Sequence, residues 1–230
     1  ARVTGVQNVC SSDLFFQNIP KFTRTYLVVV TGISLLVSFG VLDPYLCLFN
    51  PYLTFRKLQL WRLLLSPFFL GKLDIDMIFR IFSCYGFFRK LEEQHFQNRL
   101  STLVFVFISI SFFTFLFSGL LGSLSVGSSC YTGMIYFYSK IFSEEMIRFI
   151  VIPMNIQYYP FACAILNLIL GGSMIPVFIG ILSGHIVFYL FYILPVLTKK
   201  PIFKTPNFLV RILDGRDNSN HAGHGRRIRD

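Results

Sequence analysis

From Leu103 to Leu121 the chain carries no charged residue. An uncharged apolar run of about 20 residues is long enough to cross a bilayer as a helix, with every backbone polar group satisfied inside the segment. The rest of the chain has to be fitted around that helix. Composition agrees: of 230 residues, 54% are hydrophobic and 14% charged, where a soluble domain carries about a quarter charged residues. The sequence is that of an integral membrane protein.

Five further apolar runs flank this one: Tyr26 to Leu42, Ile75 to Phe88, Cys130 to Phe142, Tyr159 to Leu170 and Ile175 to Val196. Between the first two lies Tyr45 to Leu73, broken by Pro51 and Pro67 and carrying Arg56, Lys57, Trp61 and Arg62. That mixture suits a loop lying in the membrane interface, where tryptophan and snorkelling cations settle. The Gly/Ser-rich Gly119 to Ser129 makes a turn, and Ile147 to Gln157 is expected to return along the interface. The expected fold is therefore an all-α membrane protein with six transmembrane helices and an interfacial first loop. Residues 1–18 form an N-terminal segment, 19–196 the membrane domain and 197–230 a basic tail.

Charge placement orients the spans. The N-terminus, the loops around Lys90 and Lys140–Arg148, and the tail hold 16 of the 21 lysines and arginines. By the positive-inside rule both termini are expected in the cytosol. The net charge of +10 is explained by those loops, without nucleic acid. The first 25 residues lack the apolar core of a secretory signal, so no cleaved signal is expected there. Five scattered cysteines without a CxxC pair imply neither a zinc site nor a disulfide framework. No cofactor or metal is implied.

The stretch from Asn167 to Leu190 is the most specific. A Gly171–Gly172 turn leads into an apolar helix with Gly180 and Gly184 four residues apart, followed by His185. Glycines at that spacing make a flat strip along which another helix can approach to backbone contact. Together with Thr205-Pro206-Asn207-Phe208-Leu209, Ile19-Pro20-x-x-Thr23-Arg24 and Gln59-Leu60-Trp61-Arg62, this resembles the derlins, the protease-dead branch of the rhomboid superfamily, over roughly residues 19–230. The resemblance implies a rhomboid-like six-helix fold in which Trp61 and Arg62 shape the lumenal interface and Gly180, Gly184 and His185 pack helices. It also implies a water-filled groove offering polar side chains from the second helix, where Arg80 aligns with a polar position. Asp76 lies four residues before Arg80 on the same helical face, so simple pairing is the competing reading.

An active rhomboid protease would need a serine nucleophile and a histidine base. Aligned through Gly133 and Tyr136, the serine position falls on Thr132; aligned through Gly180 and Gly184, the base position falls on Val177. His185 is eight residues beyond Val177, roughly 12 Å along a helix axis, and cannot replace it. No catalytic residue is expected. The fifth apolar run is short, roughly 18 Å of helix against a hydrocarbon core near 27 Å, which suits the local membrane thinning that derlins are thought to use.

In the tail, His221-Ala222-Gly223-His224-Gly225-Arg226-Arg227-Ile228 is similar to the derlin motif that binds the hexameric AAA ATPase valosin-containing protein. Here His221 replaces the family's phenylalanine and Ile228 its leucine. The partners implied are that ATPase, a ubiquitin ligase complex, misfolded protein clients and membrane lipid, with homo- or hetero-oligomers allowed. The function implied is retrotranslocation of misfolded proteins from the endoplasmic reticulum to the cytosol. Two alternatives are a derlin-derived import component of a complex plastid membrane, which shares every motif, and an active intramembrane protease.

Overall fold

The computed structural model describes residues 19–97, 99–149, 152–169, 171–199 and 203–215. Three helices are long and apolar enough to cross a membrane. They are α1 (Lys21–Ser38), α6 (Leu100–Leu121) and the continuous run from Ile175 to Thr198. That run comprises α9 (Ile175–Phe188), a π turn (Tyr189–Ile193) and α10 (Leu194–Thr198). Three shorter helices pack among them: α5 (Ile75–Lys90), α7 (Val126–Ile141) and α8 (Tyr159–Ile169).

The first connection is built from three short helices, α2 (Pro44–Cys47), α3 (Pro51–Arg56) and α4 (Trp61–Leu65). Its prolines start helices here instead of only breaking them. Asp43 caps the Tyr45 amide, and Asn50 caps those of Tyr52 and Leu53, with proline at the first helical position each time. A missing N–H costs nothing at that position, and the side-chain cap satisfies the next free donors. Asp43–Pro44 therefore opens α2, while α1 already ends at Ser38.

Two other expectations change. Ile147 to Gln157 is not a simple return along the surface: β1 (Met146–Phe149) and β2 (Ile152–Asn155) pair as an antiparallel hairpin. The fold is mostly helical rather than strictly all-α. The Gly/Ser-rich turn is also shorter than expected, because α7 already begins at Val126 and takes in Gly127, Ser128 and Ser129.

Helix directions alternate. Phe22 at the start of α1 meets Phe88 at the end of α5 and Phe107 in the first third of α6, with ring centroids 5.9 and 5.8 Å apart. Lys90 at the end of α5 pairs with Glu145 just after α7. The far end of the bundle is closed by the first connection, where the Phe49 amide donates to the Leu124 carbonyl at 3.1 Å. At the centre runs α7, whose Cys130, Met134, Phe137 and Tyr138 are all buried.

Acidic side chains from distant segments cap two of the long helices. Glu92 accepts from the Phe22 and Thr23 amides at 2.9 and 3.0 Å and from the Thr23 hydroxyl at 2.9 Å. Asp214 follows α11 (Asn207–Leu213) and accepts from the Ser101 amide at 3.1 Å and from its hydroxyl. Neither helix has a side-chain cap from its own preceding residue. The free N–H groups and positive end of each helix make a carboxylate the natural partner.

Candidate functional site

The glycine strip comes together as a three-glycine contact. A Cβ placed on Gly184 would lie 2.5 Å from the Gly133 carbonyl oxygen, and one on Gly180 would lie 2.5 Å from the Ser129 carbonyl oxygen. On the facing helix, a Cβ on Gly133 would meet Ile110 at 2.8 Å and the Gly180 oxygen at 3.1 Å. Thus α7 and α9 touch backbone to backbone. In a membrane, where sequestering apolar side chains from lipid gains little, such close packing is a principal source of helix association. His185 lies one residue beyond the contact, and its Nδ1 is 3.0 Å from the Tyr136 hydroxyl on α7. Gly127 is a further close approach that the sequence reading did not single out. Its Cβ would fall 2.0 Å from the Phe69 carbonyl oxygen, so α7 begins directly against the first connection.

Beside this joint, α5, α7, α8 and α9 enclose a cleft of about 330 Å³. Arg80 reaches into it from α5. Its Nε is 2.7 Å from Asp76 Oδ2, its Nη1 donates to Ser128 Oγ at 3.0 Å, and the guanidinium lies over the Tyr131 ring at 5.5 Å. Arg80 thus pairs with Asp76, as its spacing on the helix suggests, and lines the cleft. Deeper along α5, Ser83 shares a 2.8 Å hydrogen bond with the Tyr159 hydroxyl of α8. Asn167, Thr132 and Val177 also line the cleft. The cleft combines these polar groups with an apolar lining that includes Phe79, Phe82, Phe87 and Leu166.

The Thr132 hydroxyl donates back to the Ser128 carbonyl at 2.9 Å, and Val177 is aliphatic. His185 is engaged by Tyr136. The described hydrogen bonds link no histidine to Thr132.

Trp61 and Arg62 part company. Trp61 is 47% exposed, whereas Arg62 is 4% exposed. The Arg62 guanidinium donates to the Tyr45 carbonyl, to the Leu48 carbonyl at 2.8 Å and to Gln59 Oε1 at 2.8 Å. It acts as a staple within the first connection by bonding its backbone carbonyls. Ser66 adds a bond to the Cys47 carbonyl at 2.8 Å.

On the hairpin side, Lys90 and the Tyr138 hydroxyl both bond Glu145. Burial works to raise the Glu145 pKa, but these two donors outweigh it and hold the carboxyl below its ordinary value. Residues Thr205–Asn207 carry the chain into α11, with the Thr205 hydroxyl donating to Thr102 at 3.2 Å. The tail positions His221, Gly223, Gly225 and Ile228 lie outside the described residues.

A mostly helical bundle with three membrane-length apolar helices, a glycine-packed joint and a cleft carrying Arg80 and Asp76 is that of a membrane protein. The Der1-like family model matches residues 19–207, and the chain belongs to that family. It is 25% identical over 207 residues to Derlin-2.1 of Arabidopsis thaliana, covering 85% of each chain. It is 27% identical over 203 residues to Derlin-1 of Oryza sativa subsp. japonica, covering 86% of this chain and 84% of the relative. To the probable derlin-2 homolog of Dictyostelium discoideum it is 25% identical over 213 residues, covering 88% and 83%.

Proposed function

We propose that this chain is a six-span, rhomboid-like pseudoprotease of the endoplasmic-reticulum membrane with both termini in the cytosol. It moves misfolded proteins toward the cytosol for degradation. The observation that carries this reading is the cleft of Arg80, Ser83, Ser128, Tyr159 and Asn167. A segment of polypeptide passing between lipid and protein needs hydrogen-bonding groups in place of water, and the cleft supplies them beside α8, which is shorter than α1, α5, α6, α7 and α9. Eleven residues of α8 measure roughly 17 Å against a hydrocarbon core near 27 Å, so the bilayer beside the cleft is thinned. The reading assigns no catalytic residue: the Thr132 hydroxyl is turned back to the Ser128 carbonyl, and among the described residues no hydrogen bond joins it to a histidine. Extraction is driven by a valosin-containing-protein-type ATPase engaging His221, Gly223, Gly225 and Ile228, with a ubiquitin ligase complex as a further partner.

The reading is tested by replacing the chain in cells with an Asp76→Leu/Arg80→Leu variant, which removes the cleft's ion pair without leaving a lone charge. The half-life of a misfolded lumenal client is then followed in a chase. The client should persist severalfold longer at equal amounts of folded variant. An unchanged half-life would overturn the role of the cleft. Binding of a peptide spanning Asp214 to Asp230 to the purified ATPase, lost with Gly223→Ala and Gly225→Ala, tests the tail separately.

A further inference from the structure

A second, larger cavity shares no lining residue with the polar cleft. It measures about 980 Å³ and opens between α1, α6 and the first connection. Its floor is an aromatic cluster in which Tyr26 packs against Phe68 and Phe107 with centroids 5.6 Å away in both cases, and Phe22 lies 5.8 Å from Phe107. Its wall is a single face of α6 running from Val104 to Leu120 at helical spacing, through residues 107, 108, 111, 112, 115, 116 and 119. Sixteen steps at 1.5 Å give roughly 24 Å, close to the thickness of the hydrocarbon core. The Ser111 hydroxyl on that face is turned back to the Phe107 carbonyl at 2.9 Å and so is already satisfied.

Chemistry selects the occupant. The cavity is lined mostly by apolar side chains. An extended peptide there would leave its backbone N–H and C=O groups in hydrocarbon without partners, whereas acyl chains carry no polar group to satisfy. At one mouth, Phe55 lines the cavity and is followed by Arg56 and Lys57. Among the described residues neither forms an ion pair with a carboxylate, and both sit in the connection expected at headgroup depth. They complement a phosphate. We infer that the cleft between α1 and α6 is a phospholipid site, with acyl chains along the Val104–Leu120 face and the phosphate at Arg56 and Lys57. A lipid held there is a third wall for the first connection, and it ties the position of α3 and α4 to the bilayer.

The test uses the full chain in nanodiscs of phosphatidylcholine spiked with a phosphatidylcholine bearing a diazirine on one acyl chain, with adducts mapped by mass spectrometry after photolysis. Adducts per residue on Phe22–Tyr26 and Val104–Leu120 should exceed those on the exposed α9 residues Phe178 and Leu182 by severalfold, since these meet bulk lipid only. Gly119→Leu should reduce the cleft adducts to the α9 level. A Cβ at Gly119 meets nothing within 4 Å, so this variant fills the cavity without straining the helix. Arg56→Glu/Lys57→Glu should reduce the same adducts without altering those on α9. Equal labelling of cleft and α9 would mean bulk annular lipid only and would overturn the proposal. So would cleft labelling indifferent to Gly119→Leu, or protein–protein cross-links from the cleft to a second copy in place of lipid adducts.

Discussion

Replacing Gly184 with alanine sets two opposing effects against each other, and the geometry decides between them. In an exposed helix the change would stabilise by about 1 kcal/mol, because alanine loses less backbone freedom on folding. Here the new Cβ would sit 2.5 Å from the Gly133 oxygen and 3.2 Å from both the Gly133 carbonyl carbon and Cα. Those atoms belong to the backbone of the buried central helix and cannot rotate away. Restoring ordinary contact moves α9 off α7 by roughly 1 Å, and overpacking of this kind costs about 1–3 kcal/mol. With no flexible neighbour to absorb the shift, the upper part of that range applies, leaving a net loss of about 1–2 kcal/mol. For a chain of this size, that lowers the unfolding midpoint by about 2–8 °C. Thermal unfolding in detergent can be followed by thiol labelling, since Cys47, Cys84 and Cys130 are buried. Gly32→Ala on α1 is the control, because a Cβ there meets nothing within 4 Å; it should hold or raise the midpoint. Gly180→Ala combined with Gly184→Ala should cost less than the sum of the two, because one displacement of α9 relieves both clashes. A Gly184→Ala protein as stable as the parent, or a Gly32→Ala protein equally damaged, would refute the backbone-contact reasoning.

Other substitutions probe the polar links. Arg62→Ala should cost about 1–3 kcal/mol through unpaired carbonyls at Tyr45 and Leu48, and limited trypsin digestion should then cut at Arg56 or Lys57 earlier than in the parent. Asp214→Ala removes the cap of α6 and should cost about 1 kcal/mol, read as a lower unfolding midpoint. For Glu145, the folded pKa is depressed. Its contribution is therefore present above the ordinary carboxylate value and is lost as pH falls through the lower, folded value. Glu145→Gln should be less stable than the parent at pH 7 and should show a shallower stability loss as the medium is acidified below about pH 4.5. Equal slopes in that window would show that Lys90 and Tyr138 are not holding the carboxylate.

Periodicity and spacing made the helices legible. The uncharged run around Leu103–Leu121 could only be a buried or membrane-crossing helix, and the four-residue spacing of Gly180 and Gly184 already specified a close approach. Their partner was harder to see, because Gly133 lies in another helix and nothing local marks which glycine faces which. The capping carboxylates were hidden for the same reason: Glu92 is 70 residues from Phe22 and Asp214 is 113 from Ser101. The β hairpin was missed because its strands are four residues each, with Pro153 opposite Arg148, too short for alternation to stand out. The Trp61–Arg62 pair is expected to anchor the first loop, with the arginine donating to phosphate or backbone carbonyls, and the structure gives Arg62 the carbonyls. On α4, adjacent positions are about 100° apart, and that turn sends one side chain outward and the other under the loop.

The two ends of the bundle are held differently. On the hairpin side, Glu92 ties α5 to α1, Glu145 ties α7 to α5, and Asp214 ties α11 to α6. The described contacts that join α5 to α8 gather at Tyr159, through the Ser83 hydroxyl and the Phe87 ring, whose centroid is 4.8 Å away. Tyr159 is the first residue of α8. Towards the other end of α8, the Gly171–Gly172 turn is closed by local bonds to the Leu168 and Asn167 carbonyls. Arg80 is held by Asp76 on its own helix and by Ser128 on α7. The joint between α7 and α9 is thus made backbone to backbone along the glycine strip, whereas the described hydrogen bond and ring contact between α5 and α8 are made by side chains at Tyr159.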